Sequence, residues 1–285
     1  MGASQYICAL SSGVATAGVA LPTPTMTTAP RTDTLYIQSL AKGMRVLECF
    51  ADHPSPLSLN DIATFCDMDR SAAQRMAYTL VSLGYLERGV NGRGFVLGKK
   101  ILERTFDYLR SVPLLERATP LIVDVQKESG ERVELSLFDD LTIIFALRRQ
   151  TKRQTYTTTL IGRRLATIHT ASGRSIMSHL PAEEVDSILA RSVATPLTSR
   201  TVTNAAQIRE LIARSAADGY AIASEESMLG EISLASAVLD NENRPIAAID
   251  ISGSLADWSP DAFAKRFAPM LMSATKALSG KAGLS

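Results

Sequence analysis

Residues 69–84 read DRSAAQRMAYTLVSLG, and this stretch decides the fold of the first part of the chain. Asp69 is suited to cap the start of a helix by accepting from free backbone N–H groups, and Gly84 is suited to end it. Apolar side chains recur between these two residues at helical spacing, which predicts an amphipathic helix packed on a core. The predicted core-facing residues are Ala72, Met76, Leu80 and Leu83.

The opposite face of this helix carries long or polar hydrogen-bonding side chains instead of the Glu and Lys of an ordinary solvated face. Arg matches the paired acceptors of guanine and Gln matches adenine, while Ser and Tyr can hold phosphates. A helix in the major groove of DNA is therefore one interpretation, and a solvated surface helix is the other. The candidate DNA contacts are Arg70, Ser71, Gln74, Arg75 and Tyr78.

Two helices are predicted before this stretch. The first covers residues 39–52 and ends at the run HPSP, because residues before proline disfavour the helical conformation. Its predicted apolar side is Leu40, Met44, Leu47 and Phe50. The second begins at Ser58, where a capping box with Asp61 is expected. A tight turn at residues 66–68 then joins the second and third helices into a helix-turn-helix.

A β-hairpin is predicted directly after Gly84, in the stretch YLERGVNGRGFVLG. Residues 85–87 and 95–97 read as strands on either side of a Gly-rich, basic tip. A loop rich in Gly only because it turns is the alternative for this stretch alone. Three helices followed by a hairpin are together typical of a winged helix. The second helix and the hairpin add the candidate DNA contacts Ser58, Asn60, Arg88, Asn91 and Arg93.

Length and charge limit the function further. A chain of 285 residues is expected to form two domains. Its net charge of +1 argues against a protein that coats nucleic acid by charge alone. Any contact with DNA must therefore be local. Residues 35–100 carry eight Lys or Arg and six Asp or Glu, so their charge neither excludes nor requires DNA binding. No segment is long and apolar enough to cross a membrane.

Cysteine usage and the N-terminal composition indicate the compartment. Cys8, Cys49 and Cys66 form an odd, scattered set without metal-ligand spacing, which predicts reduced thiols in a cytoplasm and no metal site. No cofactor is expected either. Residues 1–34 are rich in Ala, Ser, Thr, Gly and Pro and have no basic residue before Arg31. They are predicted to be a flexible tail and not a secretory signal.

The second domain is predicted to cover residues 113–280, after a connecting helix at residues 99–112. Exposed apolar residues on such a helix usually indicate a partner surface. A helix ending at Gly130, two strands around Asp139-Asp140 and a hairpin turning at residues 240–243 predict an α+β domain with a largely antiparallel sheet. Further helices are predicted at residues 173–179, 182–191, 204–218 and 261–278.

These stretches resemble the IclR family of bacterial transcriptional regulators over residues 36–280. The resemblance lies in AKGMRVLECF, LSLNDIATFCDMDRSAAQRMAYTLVSLGYLER, GRGFVLGKKIL, RRLATIHTASGRSIM, GYAIASEES and DNENRPIAAIDISG. It implies a winged helix-turn-helix over residues 35–98, a linker helix over residues 99–112 and a GAF-like effector-binding domain. It also implies a homodimer, or a dimer of dimers, that binds double-stranded operator DNA as a repressor or an activator.

The resemblance further implies an effector pocket at Ala171, Ser172, Ala223, Ser233, Asp250 and Ser252. Arg148 and Arg149, at the end of a predicted strand, are weaker candidates for ligand contact, and surface charge is the alternative for both. Ala223 and Ser233 depart from an acid and a cysteine that are common in the family, and Asp250 places a carboxylate where a small hydroxyl can occur. The helix that begins after Thr170 offers free N–H groups to an anion.

From these residues we expect a ligand with a carbonyl or carboxylate at the helix end and a hydroxyl or amine donor facing Asp250. A hydroxylated aromatic acid or a derivative fits that description. The alternative is that Asp250 points to solvent or pairs with an arginine.

A small-molecule enzyme that uses the C-terminal pocket is the alternative function. The sequence has no GxSxG elbow, HExxH motif or complete Walker loop. Residues 94–99 resemble a phosphate-binding loop but do not complete its motif. Residues 273–276 match the SxxK motif but lack its companion motifs. His53, His169 and His179 have no metal spacing. The chain is therefore predicted not to be an enzyme.

Overall fold

The computed structural model describes residues 35–51, 53, 56–151 and 161–280. The chain divides into two compact units between Ile101 and Leu102, inside the predicted linker helix. The predicted tail at residues 1–34 and Cys8 lie outside the described residues. Among the described residues, no helix is long and apolar enough to span a membrane.

The first unit is a winged helix-turn-helix, as predicted. Its described residues form three α-helices and an antiparallel hairpin in which Leu86 pairs with Leu97 and Arg88 with Phe95. A short 3₁₀ turn, Val90–Gly92, closes the tip of the hairpin. The elements are α1 (Gln38–Glu48), α2 (Leu59–Phe65), α3 (Arg70–Ser82), β1 (Leu86–Arg88) and β2 (Phe95–Leu97).

The capping residues of α2 and α3 act as the sequence predicts. The Ser58 hydroxyl accepts from the Asp61 backbone N–H at 3.2 Å while the Asp61 carboxylate accepts from the Ser58 backbone N–H, which is a capping box. The Asp69 carboxylate accepts from the Ala72 backbone N–H at 2.8 Å. Gly84 follows α3 with a φ of +81°, a conformation that favours glycine. The second and third helices therefore begin and end where expected.

The predicted core face of α3 is partly wrong, although Leu80 is buried and Met76 packs against the core as expected. Ala73 and Ala77 are buried together with Leu80, whereas Ala72 is half-buried and Leu83 is 51% exposed. The small Ala side chains allow close packing of α1 and α2 on α3, and Leu83 lies beyond the last helical turn. The sequence pattern favoured the larger apolar side chains and missed Ala73 and Ala77.

The predicted apolar side of α1 is also partly wrong. Val46 is the fully buried residue of this helix, while Leu40 and Met44 are exposed. Leu47 and Phe50 pack at the edge of the core. The helix ends at Glu48, earlier than expected. Two large apolar side chains of α1 thus have no place in the core of their own unit.

The second unit is an α+β domain around a six-stranded antiparallel sheet, with strand order β5-β4-β3-β8-β7-β6 in its described residues. The predicted antiparallel sheet is confirmed, but the two short edge strands β5 and β6 were not predicted. The elements are α4 (Lys100–Ser111, which crosses the unit boundary), α5 (Pro113–Ser129), β3 (Arg132–Asp139), β4 (Thr142–Arg149), β5 (Arg164–Ala166), a 3₁₀ turn (Thr167–His169), α6 (Ala171–Met177), α7 (Ala182–Arg191), α8 (Ala205–Asp218), β6 (Ala221–Ser224), β7 (Glu231–Leu239), β8 (Pro245–Ser254) and α9 (Pro260–Leu278).

The two faces of the sheet have different characters, because successive side chains of a strand point to opposite faces. On β8, Ile249 and Ile251 join the main apolar core with α5 and α9. Asp250 and Ser252 therefore point to the other face, where α6 packs on β7 and β8. The alternation on this one strand places a carboxylate and a hydroxyl under α6.

Candidate functional sites

The first candidate site is the exposed polar face of α3. Ser71, Gln74, Arg75 and Tyr78 are exposed, Tyr78 by 74%, and they line a surface groove. Arg88 of β1 and Phe95 of β2 form the other wall of this groove. The structure thus brings residues of the predicted recognition helix and of the wing to one surface.

The wing positions its basic residues in two ways. The Arg88 guanidinium lies 4.3 Å above the centre of the Phe95 ring, which holds it by a cation–π interaction. Asn91 and Arg93 are exposed at the tip of the hairpin, and Asn91 has a φ of +61°. Arg88 is therefore fixed beside α3, while Arg93 projects from the tip.

The start of α2 meets the start of α3. The Asn60 side-chain carbonyl accepts a hydrogen bond from the Arg70 guanidinium. Ser58 uses its hydroxyl for the cap of α2. All three residues are exposed and remain predicted DNA contacts, but Asn60 also orients Arg70 and Ser58 also stabilises its own helix.

The second candidate site is a cavity of about 80 Å³ in the second unit. Every residue predicted for the effector pocket lines it: Arg148, Ala171, Ser172, Ala223, Ser233, Asp250 and Ser252. Met228, which also lines the cavity, is half exposed.

Gly173 allows α6 to pack closely on the 3₁₀ turn, Thr167–His169, that precedes it. A side chain at Gly173 would place its Cβ 1.9 Å from the carbonyl oxygen of Thr167, so only glycine permits this approach. The Thr170 hydroxyl accepts from the Gly173 backbone N–H at 2.9 Å and caps the helix. Ala171 and Ser172 are thereby held against the sheet.

The floor of the cavity is a buried ionic network. In the strand register, Glu134 lies between Arg148 of β4 and Asp250 of β8. The Arg132 Nε lies 3.0 Å from Glu134 Oε2, and its Nη2 lies 2.7 Å from Glu231 Oε2. Two guanidinium groups and three carboxyl groups therefore share this floor.

Asp250 is 4% exposed, so the alternative that it points to solvent is wrong. The Ser172 hydroxyl donates to one carboxylate oxygen at 3.1 Å and the Ser252 hydroxyl to the other at 3.2 Å. Ser252 and Ser233 share a hydrogen bond of 2.7 Å. Burial, and next the charge of Glu134, raise the pKa of Asp250 well above its usual range.

Asp250 also changes the predicted arrangement of the ligand. The expected anion at the start of α6 and the expected donor at Asp250 fall at the same place, because Ser172 already donates to Asp250. The start of α6 is thus already next to a carboxylate of the protein itself, that of Asp250.

Arg148 is better placed for ligand contact than the sequence indicated. Its side chain is only 10% exposed, and its Nη1 lies 2.9 Å from Glu134 Oε1. The geometry of this ion pair is too poor for a hydrogen bond, so the Arg148 Nε and Nη1 groups and Glu134 Oε1 have no hydrogen-bond partner among the described residues. Arg149, the neighbouring candidate, is exposed and does not line the cavity.

A second buried ion pair fixes one wall of the cavity. Arg174 of α6 donates from Nη1 and Nη2 to the two carboxylate oxygens of Glu226 at 2.5 and 2.6 Å. Glu226 also accepts from the Val202 backbone N–H at 3.0 Å, and its carbonyl accepts from the Thr201 hydroxyl. This pair therefore joins α6 to the segment that carries Met228.

Sequence reasoning missed five charged residues of this region: Arg132, Glu134, Arg174, Glu226 and Glu231. Arg132, Glu134 and Glu231 stand in or beside strand stretches that are otherwise apolar, and a charge in such a strand was the available signal. Their pairing was not readable, because it depends on the register of four strands. Among the described residues, no group of His, Cys, Asp or Glu is arranged to hold a metal ion.

A winged helix-turn-helix with a polar, exposed third helix, followed by an α+β domain with a buried polar cavity, defines the class of DNA-binding regulators with a ligand-binding domain. Residues 39–89 match the IclR helix-turn-helix domain, and residues 106–280 match the domain described as the bacterial transcriptional regulator IclR C-terminal. The chain belongs to the IclR family of transcriptional regulators.

Individual relatives agree with this assignment. The chain is 26% identical to the HTH-type transcriptional regulator XynR of Escherichia coli over 87% of its own length and 98% of that protein. It is also 26% identical to the transcriptional repressor IclR of Escherichia coli, over 89% and 92% of the two chains.

Solved structures share the fold. A Rhodococcus sp. RHA1 protein put forward as a transcriptional regulator is 30% identical and has a TM-score of 0.73, over 85% of this chain and 97% of that one. An IclR homolog from Microbacterium hydrocarbonoxydans, solved in complex with 4-hydroxybenzoate, is 24% identical and has a TM-score of 0.71, over 85% and 97% of the two chains. The second likeness concerns the fold alone.

Proposed function

We propose that this protein binds operator DNA through α3 and the wing, and that a small organic acid bound in the cavity modulates this binding. The observation that carries the proposal is the convergence of all seven predicted effector residues on one cavity with a buried floor. A small-molecule enzyme at the same cavity remains the alternative to be tested.

The cavity supports a definite placement of the effector. The acid group accepts from the Arg148 Nε and Nη1 groups, which have no hydrogen-bond partner among the described residues. A donor on the ligand faces Asp250, which is an acceptor when ionised. Hydroxylated aromatic acids are the first class to test, since one structural neighbour was solved with 4-hydroxybenzoate.

On the DNA side, Gln74 and Arg75 read base edges from the exposed face of α3. Arg93 contacts phosphate from the tip of the wing. The protein acts as a homodimer or a dimer of dimers, which presents paired winged helices to a palindromic site. Exposed apolar side chains support a partner surface: Leu40 and Met44 on α1, and Leu102 and Phe106 on α4.

The effector acts by shifting the equilibrium between two arrangements of the dimer. If it binds differently to two arrangements of the paired effector domains, it shifts their equilibrium and with it the spacing of the winged helices.

The deciding experiment is a titration of the purified protein with DNA from its own upstream region, with and without a panel of hydroxylated aromatic and keto acids. We expect specific, salt-dependent binding that one of the acids changes. Absence of specific binding together with turnover of a panel compound would favour the enzyme. Specific binding that no acid changes would leave the DNA role and remove the proposed effector class.

A further inference from the structure

We propose that the effector presents a positively charged nitrogen to Asp250, so that the cavity selects an amino acid or a similar amino-carboxylate over the matching hydroxy acid. This inference rests on the proposed function, because it assumes that the cavity is the effector site. The proposed function leaves the group of the effector that faces Asp250 as either a hydroxyl or an amine, and the present inference selects a protonated amine.

The charge of the cavity floor is the first reason. Arg132 and Arg148 supply two positive charges, whereas Glu134, Glu231 and Asp250 supply three negative charges when all are ionised. The side chains of Glu134 and Asp250 are each almost completely buried, so solvent does not screen the excess. Burial of an unpaired charge is costly, so without a ligand Asp250 keeps a proton, in agreement with its raised pKa. A ligand cation that takes the place of this proton lets Asp250 ionise and balances the charge of the floor.

The other charged side chains that line the cavity, within the part of the chain that the structure describes, do not alter this balance. Glu226 is paired with Arg174 through two hydrogen bonds. Glu225 lies at the rim with its side chain about one-third exposed, 3.9 Å from Arg200, and Arg163 is exposed to solvent. The negative excess therefore belongs to the buried floor.

The strand register indicates that the excess negative charge lies at Asp250. Glu134 and Asp250 are directly opposite on β3 and β8, a position at which like charges destabilise a sheet. Glu134 has both Arg132 and Arg148 as ion-pair partners. Asp250 accepts hydrogen bonds from the neutral hydroxyl groups of Ser172 and Ser252, so it is the carboxylate that a ligand cation serves best.

Arg148 supplies the second, independent indication of a ligand. Its nine-tenths buried side chain lines the cavity with two N–H positions that lack a hydrogen-bond acceptor among the described residues. A carboxylate is the usual partner of such a guanidinium. The cavity thus offers one place for a carboxylate and one for a cation, separated by Glu134.

The test compares ligands that differ only in the charge of the donor. Isothermal titration of the full chain at neutral pH would measure binding of 4-(aminomethyl)benzoate against 4-(hydroxymethyl)benzoate. It would also compare β-alanine with 3-hydroxypropanoate, and it would include the common α-amino acids. We expect at least one amino-carboxylate to bind, and to bind ten-fold or more tightly than its hydroxy counterpart.

Two variants assign the preference to the site. Asp250→Asn keeps the shape and removes the charge, so the preference for the amine should disappear while the protein still unfolds cooperatively. Asp186→Asn is the matched control, because Asp186 is exposed, pairs with Arg209 and does not line the cavity. It should leave the preference unchanged.

Each other outcome overturns the inference. Equal or tighter binding of the hydroxy acids, binding of none of the amino-carboxylates, or a preference that survives in Asp250→Asn would each do so. The first result would leave the proposed organic-acid effector in place. Loss of the proposed function itself would appear separately, as absence of specific DNA binding by the same protein.

Discussion

The two candidate sites use polar residues under opposite conditions. On α3, Gln74 and Arg75 are exposed and water satisfies their polar groups, so they are available for contact with DNA. In the cavity, Glu134 and Asp250 are shielded from water, and neighbouring side chains must satisfy them. Substitution on the exposed face should therefore change function with little effect on stability, whereas substitution in the cavity should change both.

Ion pairs in the second unit show the same contrast. The pair Arg174–Glu226 is buried and fully hydrogen-bonded, while Arg209–Asp186 has similar contact distances but is about half exposed on both sides. Breaking a buried pair leaves an uncompensated charge, whereas a surface pair contributes little. The structure thus provides a matched test of burial within one domain.

The largest expected effect is that of Arg174→Ala. It leaves Glu226 buried without its guanidinium, so we expect the free energy of unfolding to fall by about 3–5 kcal/mol. Arg209→Ala should lower it by less than about 1 kcal/mol. Denaturant unfolding of both variants measures the difference. Equal losses would show that burial does not separate the two pairs.

Arg75→Ala should act on function alone. If Arg75 reads a guanine, its loss costs about 1–3 kcal/mol of specific DNA binding and much less of nonspecific binding. The free energy of unfolding should stay within about 0.5 kcal/mol of the original, because the residue is exposed. Titrations with operator and random DNA measure the first effect. An equal loss on both would assign Arg75 to a phosphate.

The pH dependence of the free energy of unfolding tests whether burial controls the ionisation of Asp250 in the cavity. The folded-state pKa of Asp250 is raised, so above pH ~4 the folded chain keeps a proton that the unfolded chain has lost. Stability should fall as pH rises from ~4 to that raised pKa, by at most about 1.4 kcal/mol per pH unit from this group. Asp250→Asn should lack this contribution.

The measurement is the difference in unfolding free energy between the two proteins across this range. The charged groups that face Asp250 are Glu134, Arg132, Arg148 and Glu231, and all are present in both proteins. The pKa of Glu231 is also raised, first by burial. The stability of each protein by itself therefore also changes with pH through Glu231, and only the difference between the two proteins reports on Asp250. A difference that does not change with pH would mean that Asp250 is ionised throughout.

Much of the fold was predictable because it depends on local signals. The caps at Ser58 and Asp69 and the glycines at Gly84 and Gly130 act within a few residues, and the structure has them where the sequence places them. The inward face of α3 was not predictable from size and spacing alone. It depends on how closely α1 and α2 approach, and this approach selects Ala73 and Ala77.

The sites divide in the same way. The exposed residues of α3 follow from helical periodicity, and the position of Asp250 follows from a family resemblance and strand alternation. The network of Arg132, Glu134 and Glu231 required the register of β3, β7 and β8, which are far apart in the chain. Burial and the charge of Glu134, which together raise the pKa of Asp250, likewise depend on parts of the chain that are far apart in sequence.

The smallest expected effect is that of Arg93→Ala at the tip of the wing. Arg93 is exposed and predicted to contact phosphate, so its loss should weaken operator and random DNA alike. It should reduce the slope of log affinity against log salt by about 1. Lys99→Ala is a suitable control, because Lys99 lies beyond the hairpin and within 3.6 Å of Glu87. An unchanged slope for Arg93→Ala would remove the wing tip from the DNA contacts and leave recognition to α3 and the stacked Arg88.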